Sequence, residues 1–254
     1  MTRIIMSGCN GRMGRMITGL ALEDAEAQIV AGVDTFTEVE NKYPVFKNIK
    51  DCDIEADAII DFSAAACLDD LLEYAVEKQV PVVLCTTGYT EEQLAKIKEA
   101  STKVALLKSA NMSLGINLLL KMIKEATSVL APAGFDIEIV EKHHNQKKDA
   151  PSGTALALAD SINEAMDGRY EYVYDRGQVR QKREKKELGI SSVRGGTIVG
   201  DHDVIFAGED EVITFSHRAY SKAVFAKGAV SAAKFMQGQK PGMYDMAQVI
   251  DAAN

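Results

Sequence analysis

The 254-residue chain has no tryptophan and only four histidines, four cysteines and five prolines. The cysteines, Cys9, Cys52, Cys67 and Cys85, stand far apart with no C-x-x-C pair. That spacing excludes a zinc ribbon or a disulfide framework and points to a reducing compartment, the cytoplasm. No apolar run reaches the ~18–20 residues that cross a bilayer, so no membrane association is expected. The opening MTRIIMSGCNGRMG breaks its short apolar piece with Gly and Arg and does not read as a secretory leader. Basic charge is also short: 29 Lys+Arg face 37 Asp+Glu, a net charge of −8. Gripping a phosphate backbone calls for a basic face, so nucleic acid is not an expected partner.

At 46% hydrophobic and 26% charged, the composition is that of a globular chain with enough apolar surface for one large domain or two modest ones. Ile4–Ser7, Ile29–Asp34, Ala58–Phe62, Val80–Cys85 and Val104–Leu107 are short, continuous and rich in Val and Ile. Such runs read as strands buried on both faces. Arg12–Glu23, Cys67–Lys78 and Glu91–Ser101 between them have helical spacing, the last with Thr90 as its N-cap. Strand–helix alternation predicts a parallel sheet with helices on both faces, an α/β Rossmann-like domain.

The rhythm changes near residue 114. Leu114–Leu130 reads as a long helix, Phe135–Glu141 as a strand and Ser152–Met166 as a helix. The highly charged Arg176–Glu187 reads mainly as a solvated face or mobile loop. Ile190–Val199, Asp203–Ala207 and Glu211–His217 read as antiparallel strands joined by Gly-rich turns, and Ser221–Gln237 as a final helix. The expected organisation is a first domain of residues 1–113 with 223–254. A central α+β domain of 114–222 interrupts it.

The first strand runs into Gly8-Cys9-Asn10-Gly11-Arg12-Met13-Gly14 and then a helix. Strand, glycine turn and helix start form the context in which backbone N–H groups receive a pyrophosphate. Asp34, about 20 residues after the loop and at the end of the second strand, stands where an acid accepts hydrogen bonds from an adenosine ribose. Cys9 reads as a small loop residue. Two more strand ends, Cys85-Thr86-Thr87-Gly88 and Ser109-Ala110-Asn111-Met112-Ser113, carry small and polar residues, as a nicotinamide pocket requires.

The richest stretch is Glu141-Lys142-His143-His144-Asn145-Gln146-Lys147-Lys148-Asp149-Ala150-Pro151-Ser152-Gly153-Thr154. Two of the four histidines and three lysines gather there in an acidic protein. Ser152-Gly153-Thr154 at a helix start offers N–H and hydroxyl donors to an anion, a carboxylate above all. Histidine shuttles protons near neutral pH, and a lysine among cations can donate one. Zinc binding by His143, His144 and Asp149 ranks low, because neighbours on a strand face opposite ways and no third His or Cys is near. No metal is expected. His202 and His217 read as structural. Two rival readings use the same features: a nicotinamide enzyme acting on a sugar or amino-acid aldehyde, and a non-catalytic nucleotide sensor.

Taken together, G-x-x-G-R-M-G, T-T-G, A-N-M-S, E-x-H-H-x-x-K-x-D-A-P-S-G-T-A, V-R-G-G-x-I-V-G-x-H-x-V and F-A-x-G-A resemble the 4-hydroxy-tetrahydrodipicolinate (dihydrodipicolinate) reductase family over essentially the whole chain. The resemblance implies a dinucleotide-binding domain and a central domain that binds substrate and forms a homotetramer through its open sheet. It implies reduction, by NADH or NADPH, of a small cyclic dicarboxylate in lysine and diaminopimelate biosynthesis. His143 falls on the family's proton donor/acceptor and Lys147 on its proton donor. His144, Ser152, Gly153 and Thr154 fall on substrate-carboxylate positions. Gly8, Cys9, Asn10, Gly11, Arg12, Met13, Asp34, Cys85, Thr86, Thr87, Ser109, Ala110, Asn111 and Met112 fall on cofactor positions. Lys222 falls where the family often has a basic residue near the ligand. Cys85 replaces the Gly of G-T-T-G and makes that strand end bulkier and open to oxidation. Thr35 and Phe36 after Asp34 lack the Arg that would hold a 2′-phosphate, so NADH is the favoured cofactor.

Overall fold

The computed structural model describes residues 1–177 and 180–253. In chain order the elements are β1 (Thr2–Ser7), α1 (Arg12–Glu23), β2 (Ala27–Val33), β3 (Val45–Phe46), β4 (Ala58–Asp61), α2 (Leu68–Lys78), β5 (Val82–Leu84), α3 (Glu91–Ala100) and β6 (Ala105–Lys108). They continue with α4 (Leu114–Leu130), β7 (Asp136–His143), α5 (Gly153–Glu164), β8 (Glu171–Tyr174), β9 (Glu187–Arg194), β10 (Gly200–Ala207) and β11 (Val212–Ala219). The chain closes with α6 (Ala223–Met236), β12 (Gly242–Tyr244) and α7 (Met246–Asp251). Two compact units result: Met1–Leu114 with Ala223–Asn254, and Gly115–Lys222.

The first unit is built on a parallel sheet of order β12-β6-β5-β4-β1-β2-β3. Successive side chains of a strand face opposite ways, so the apolar runs feed two cores. Ile4, Met6, Ile60, Val83 and Leu107 pack with Ile17 of α1 and the small residues Ala226, Ala229, Ala232 and Ala233 of α6. Ile5, Ile59, Val82, Leu84 and Leu106 pack with Leu68, Leu71 and Leu72 of α2 and Ile97 of α3. Thr90 caps α3 reciprocally with Gln93, because each supplies the acceptor for the other's backbone N–H. The terminal β12 adds a strand beside β6, an element with no periodic signal in its three residues.

The second unit holds a five-stranded mixed sheet, β11-β10-β7-β9-β8. Its core-facing side chains, including Ile137, Ile139, Leu188, Ile190, Val204 and Phe206, pack with Leu119 and Ile123 of α4 and with Ala155, Leu158, Ala159 and Ile162 of α5. The expected meander is corrected here: β9 does not neighbour β10. β7 lies between them, antiparallel to β10 and parallel to β9. That order flanks Ile137 and Ile139 by Phe206 and Val204 on one side and by Leu188 and Ile190 on the other. The strand β8, absent from the sequence reading, pairs parallel with β9.

The charged segment is also not a solvated face throughout. Arg183 donates from Nε to Glu138 Oε1 at 2.8 Å and from Nη1 to Asp136 Oδ1 at 2.9 Å. Arg176 pairs with Glu187. Two acids of β7 and one that opens β9 draw these cations onto the sheet. Gln178 and Val179 lie outside the described residues.

Candidate active site

The glycine loop of the first unit folds as a tight turn, and two glycines are required sterically. Gly8 has φ +80°, and a Cβ there would stand 2.5 Å from the Phe62 carbonyl oxygen. A Cβ at Gly14 would stand 2.2 Å from the Gly8 carbonyl oxygen, so α1 could not approach the turn. Gly11 precedes α1 with no side-chain cap, which leaves the first N–H groups of the helix without an acceptor from a capping side chain. Such a helix start attracts a phosphate. These features fit a dinucleotide, and nearby side chains fit its adenosine end. Asp34 is fixed by two backbone donors, Asn10 N–H to Oδ2 at 2.9 Å and Phe36 N–H to Oδ1 at 3.0 Å.

The cleft beside it, about 420 Å³, is lined by Gly8, Gly11, Asp34, Thr35, Ser63 and Lys47, among others. Lys47 was missed in the sequence because it lies 13 positions beyond Asp34. Pairing of β3 with β2, continued by the Asp34 N–H to the Phe46 carbonyl at 3.0 Å, brings it alongside. Arg15 donates from Nε to the Asn10 carbonyl and steadies the loop; Arg12 and Met13 open α1.

Asp61 ends β4, buried, and organises the neighbouring strand end. Its Oδ1 accepts from the Ser63 hydroxyl and its Oδ2 from the Thr86 hydroxyl, each at 2.6 Å. The Thr86 side chain is therefore spent on the fold, whereas Thr87 and Gly88 are exposed. Burial pushes the Cys9 thiol up to about 11, with Asp34 adding to it. Burial and Asp61 push Cys85 well up too. A thiol held protonated is a poor nucleophile, so the expected oxidation sensitivity of Cys85 has no support in its surroundings. Asn111 accepts the Ser113 N–H at 2.8 Å, and Met112 is buried. Ser109 and Ala110 follow β6 in the same segment.

In the second unit, alternation along β7 puts Ile137, Ile139, Glu141 and His143 on one face. The strand runs two residues beyond the expected end, so His143 is a strand residue and not part of the turn. Glu141 is fully buried (0% exposed) and His143 nearly so (8%). Glu141 Oε2 lies 2.6 Å from His143 Nδ1. Arg194 of β9 grips both carboxylate oxygens, Nη1 to Oε2 at 2.8 Å and Nη2 to Oε1 at 2.7 Å. The Ser152 N–H donates to Oε1 at 3.0 Å. Burial pushes the Glu141 carboxyl up, but donors from Arg194, His143, Ser192 and Ser152 outweigh it and hold the group at about 2.

Burial lowers the His143 imidazole below its ordinary value; Glu141 opposes this, and Lys147 and Arg194 add to it. Next to an ionised carboxylate, which only accepts, Nδ1 must carry the proton of the neutral ring. The lone pair is then on Nε2. That atom faces Gly200 of β10, where a Cβ would come within 3.1 Å of it.

Ser152 is buried. Its hydroxyl caps α5 by accepting the Ala155 N–H at 3.2 Å and bonds His202 Nε2 at 3.1 Å. At the helix start Gly153 is exposed, with nothing within 4 Å of a built Cβ, and Thr154 is half-buried. Lys147 Nζ pairs with Asp149 Oδ1 at 2.9 Å, and that ammonium lowers the Asp149 carboxyl. His144 is half-buried and Lys222 exposed. His202, expected to be structural, packs its ring edge-on to His143 at 5.1 Å. Burial lowers it to about 4, and its Nδ1 has no partner among the described residues. Glu141, Arg194 and His202 are the site residues that sequence reasoning missed. For Glu141 a signal existed, an acid in register with Ile137 and Ile139; Arg194 and His202 stand in V-R-G-G-x-I-V-G-x-H-x-V, a motif whose spacing does not say what they touch.

Among the described residues no group of three His, Cys, Asp or Glu is placed to hold a metal ion, and no helix is long and apolar enough to cross a membrane.

A parallel sheet with a glycine turn and an uncapped helix start in one unit, and a buried cluster of Glu141, Arg194 and His143 in the other, are the parts of a Rossmann-type oxidoreductase. Family models described as dihydrodipicolinate reductase, N-terminus and C-terminus, match residues 2–112 and 115–250. The chain belongs to the dihydrodipicolinate reductase family. It is 52% identical over 250 residues, 98% of each chain, to the 4-hydroxy-tetrahydrodipicolinate reductase of Caldanaerobacter subterraneus subsp. tengcongensis. It is 49% identical to that of Clostridium novyi over the full length of both. The dipicolinate-bound dihydrodipicolinate reductase of Paenisporosarcina sp. TG-14 shares the fold, with a TM-score of 0.81, 24% identity and coverage of 98% of this chain and 99% of that one.

Proposed function

We propose that the chain reduces 4-hydroxy-tetrahydrodipicolinate, by way of dihydrodipicolinate, to tetrahydrodipicolinate in the cytoplasmic route to diaminopimelate and lysine. The observation that carries this is the link, through Glu141, between His143 and the helix start at Ser152-Gly153-Thr154, in a family of reductases. In this reading residues 1–113 with 223–254 hold the dinucleotide, which supplies a hydride when bound. Residues 114–222 hold the dicarboxylate and build the homotetramer. The loop from Gly8 to Met13 and the α1 start receive the pyrophosphate. Cys85, Thr86, Thr87 and the Ser109–Met112 segment flank the nicotinamide through their backbone, because the Thr86 hydroxyl is already engaged.

One substrate carboxylate rests on the N–H groups of Gly153 and Thr154, with the Thr154 hydroxyl and His144 beside it. Ser152 acts there by capping the helix. Departure of the 4-hydroxyl needs a proton on the leaving oxygen, and hydride addition to a conjugated C=C needs one on the neighbouring carbon. Lys147, an ammonium paired to Asp149, is the donor. Neutral His143, with its lone pair on Nε2, is the group that accepts and returns a proton.

NADH is the favoured cofactor because Asp34, already anchored by two N–H groups, accepts ribose hydroxyls and repels a 2′-phosphate. Lys47 on the same cleft admits NADPH as the second choice. The test is oxidation of NADH with precursor made in situ from aspartate semialdehyde and pyruvate, with sugars and amino-acid aldehydes as controls. Turnover on the precursor alone is expected. Turnover on a control and none on the precursor overturns the reading.

A further inference from the structure

We infer that Glu141, clamped by Arg194, is a positioning residue for the reaction: it fixes the orientation and protonation of His143 and ties that imidazole to the helix start at Ser152-Gly153-Thr154. This rests on reading His143 as the proton carrier. Besides the Ser192 side chain, the carboxylate has four donors in two directions. On Oε2 the His143 Nδ1–H arrives at 2.6 Å and Arg194 Nη1 at 2.8 Å. On Oε1 Arg194 Nη2 arrives at 2.7 Å and the Ser152 N–H at 3.0 Å. Arg194 also donates to the Val193 and Asp149 carbonyls, at 2.8 and 2.7 Å, and so anchors the loop that carries Lys147.

The physical reasons are three. An ionised carboxylate accepts only, so it forces the proton of neutral His143 onto Nδ1 and leaves Nε2 as the proton-accepting atom. When Nε2 takes a proton, the ring becomes a cation away from water, and the fixed anion 2.6 Å away stabilises it without reorganisation. A lone buried carboxylate would be costly and would neutralise itself, and the bidentate Arg194 contact prevents this. The same carboxylate then holds the Ser152 amide, so the position of the α5 start follows from it.

Other charged groups surround the ring, and their signs matter. Lys147 and Asp149 come from the loop, Arg194 from β9 and His202 from β10, with His217 of β11 across from His202. Glu141 favours the imidazolium, and Lys147 and Arg194 oppose it. Glu141 is the one in contact with the ring, so its removal lowers the His143 pKa.

The experiment uses the full chain with 15N-labelled histidine. Glu141→Gln and Glu141→Asp are compared with wild type in three measurements. These are the tautomer and titration of the His143 ring by NMR, the pH profile of kcat, and the affinity for pyridine-2,6-dicarboxylate. In wild type the His143 ring is protonated on Nδ1. In Glu141→Gln the tautomer signals change, and the His143 titration and its limb of the profile move to lower pH by roughly one unit or more. kcat falls on the order of 100-fold, and pyridine-2,6-dicarboxylate binds several-fold more weakly. NADH affinity stays as in wild type.

Glu141→Asp, which keeps the charge but withdraws it, moves the same signals less. If neither folds, Arg194→Lys, which keeps both charges and loosens the clamp, must move the His143 signals. Superimposable ring titrations and kcat profiles in a folded variant overturn the inference. His143→Ala separates the two layers: retained turnover there sinks the proton-carrier reading. Lost turnover there, with wild-type behaviour in Glu141→Gln, sinks the positioning role alone.

Discussion

The two candidate sites are built from different kinds of group. In the first unit the groups on offer are mostly backbone: a glycine turn, an uncapped helix start and strand ends whose side chains serve the fold. In the second, they are side chains locked in a buried ionic network of Glu141, Arg194, His143, Ser152 and His202. Backbone groups do not titrate, so the glycine turn is insensitive to pH and sensitive to a Cβ added at Gly8 or Gly14. Side-chain networks behave the opposite way. The contrast suits the proposed reaction, in which the dinucleotide gives up a hydride and only the other ligand exchanges protons with side chains.

The largest expected effect breaks the second site. His143→Ala and Lys147→Ala each lower kcat on the order of 10²–10⁴-fold, while equilibrium titration shows unchanged NADH affinity. Turnover retained in both folded variants would remove their assigned roles. Next comes the first site. Gly14→Ala sets a Cβ 2.2 Å from backbone oxygen. It should weaken NADH binding by tenfold or more, read by fluorescence titration, and leave the His143 ring signals in place.

The third prediction concerns acid stability. His202 is held at about 4 in the fold against its ordinary value near 6.5, first by burial. Between those pH values the unfolded chain binds more protons, so stability rises with pH across that window. The lowered His143 acts in the same direction. Going from pH 7 to pH 5 should cost about 2 kcal/mol through His202 alone. Urea midpoints of wild type and His202→Asn at both pH values measure it; equal slopes would contradict the assignment.

Smaller effects sharpen the picture. A Cβ at Gly153 meets nothing within the fold, so Gly153→Ala tests ligand approach without disturbing structure. Together with Thr154→Val it should raise substrate KM several-fold and leave kcat nearly intact. Equal competition by pyridine-2,6-dicarboxylate in both variants would move the carboxylate site elsewhere. The smallest effect belongs to Lys47→Ala. NADPH affinity should fall a few-fold, less at high salt, with NADH unaffected. A wild type preferring NADPH tenfold or more, about 1.4 kcal/mol, would show that Asp34 does not set the choice.

Much of this was legible before any coordinates. Local signals sufficed where structure is local: the α1 bounds, the Thr90 cap and the strand–turn–helix around Gly8 each depend on a few adjacent residues. The cluster from His143 to Thr154 stood out because unlike charges and a helix start crowd a short segment of an acidic chain. The hidden parts depend on pairing between distant strands. Lys47 reaches Asp34 through β2 and β3, and Arg194 reaches Glu141 across 53 positions through β7 and β9. Placement of β7 between β9 and β10 was equally invisible, because alternating apolar strands do not state which neighbour they take. The sequence thus determined the element types, the glycine turn and the crowding of His143, Lys147 and a helix start into one segment, which follow from residue chemistry and short spacing. Only the tertiary structure decided which charges meet, which hydroxyls are spent on the fold and which ring nitrogen is free, since these depend on sheet register and burial.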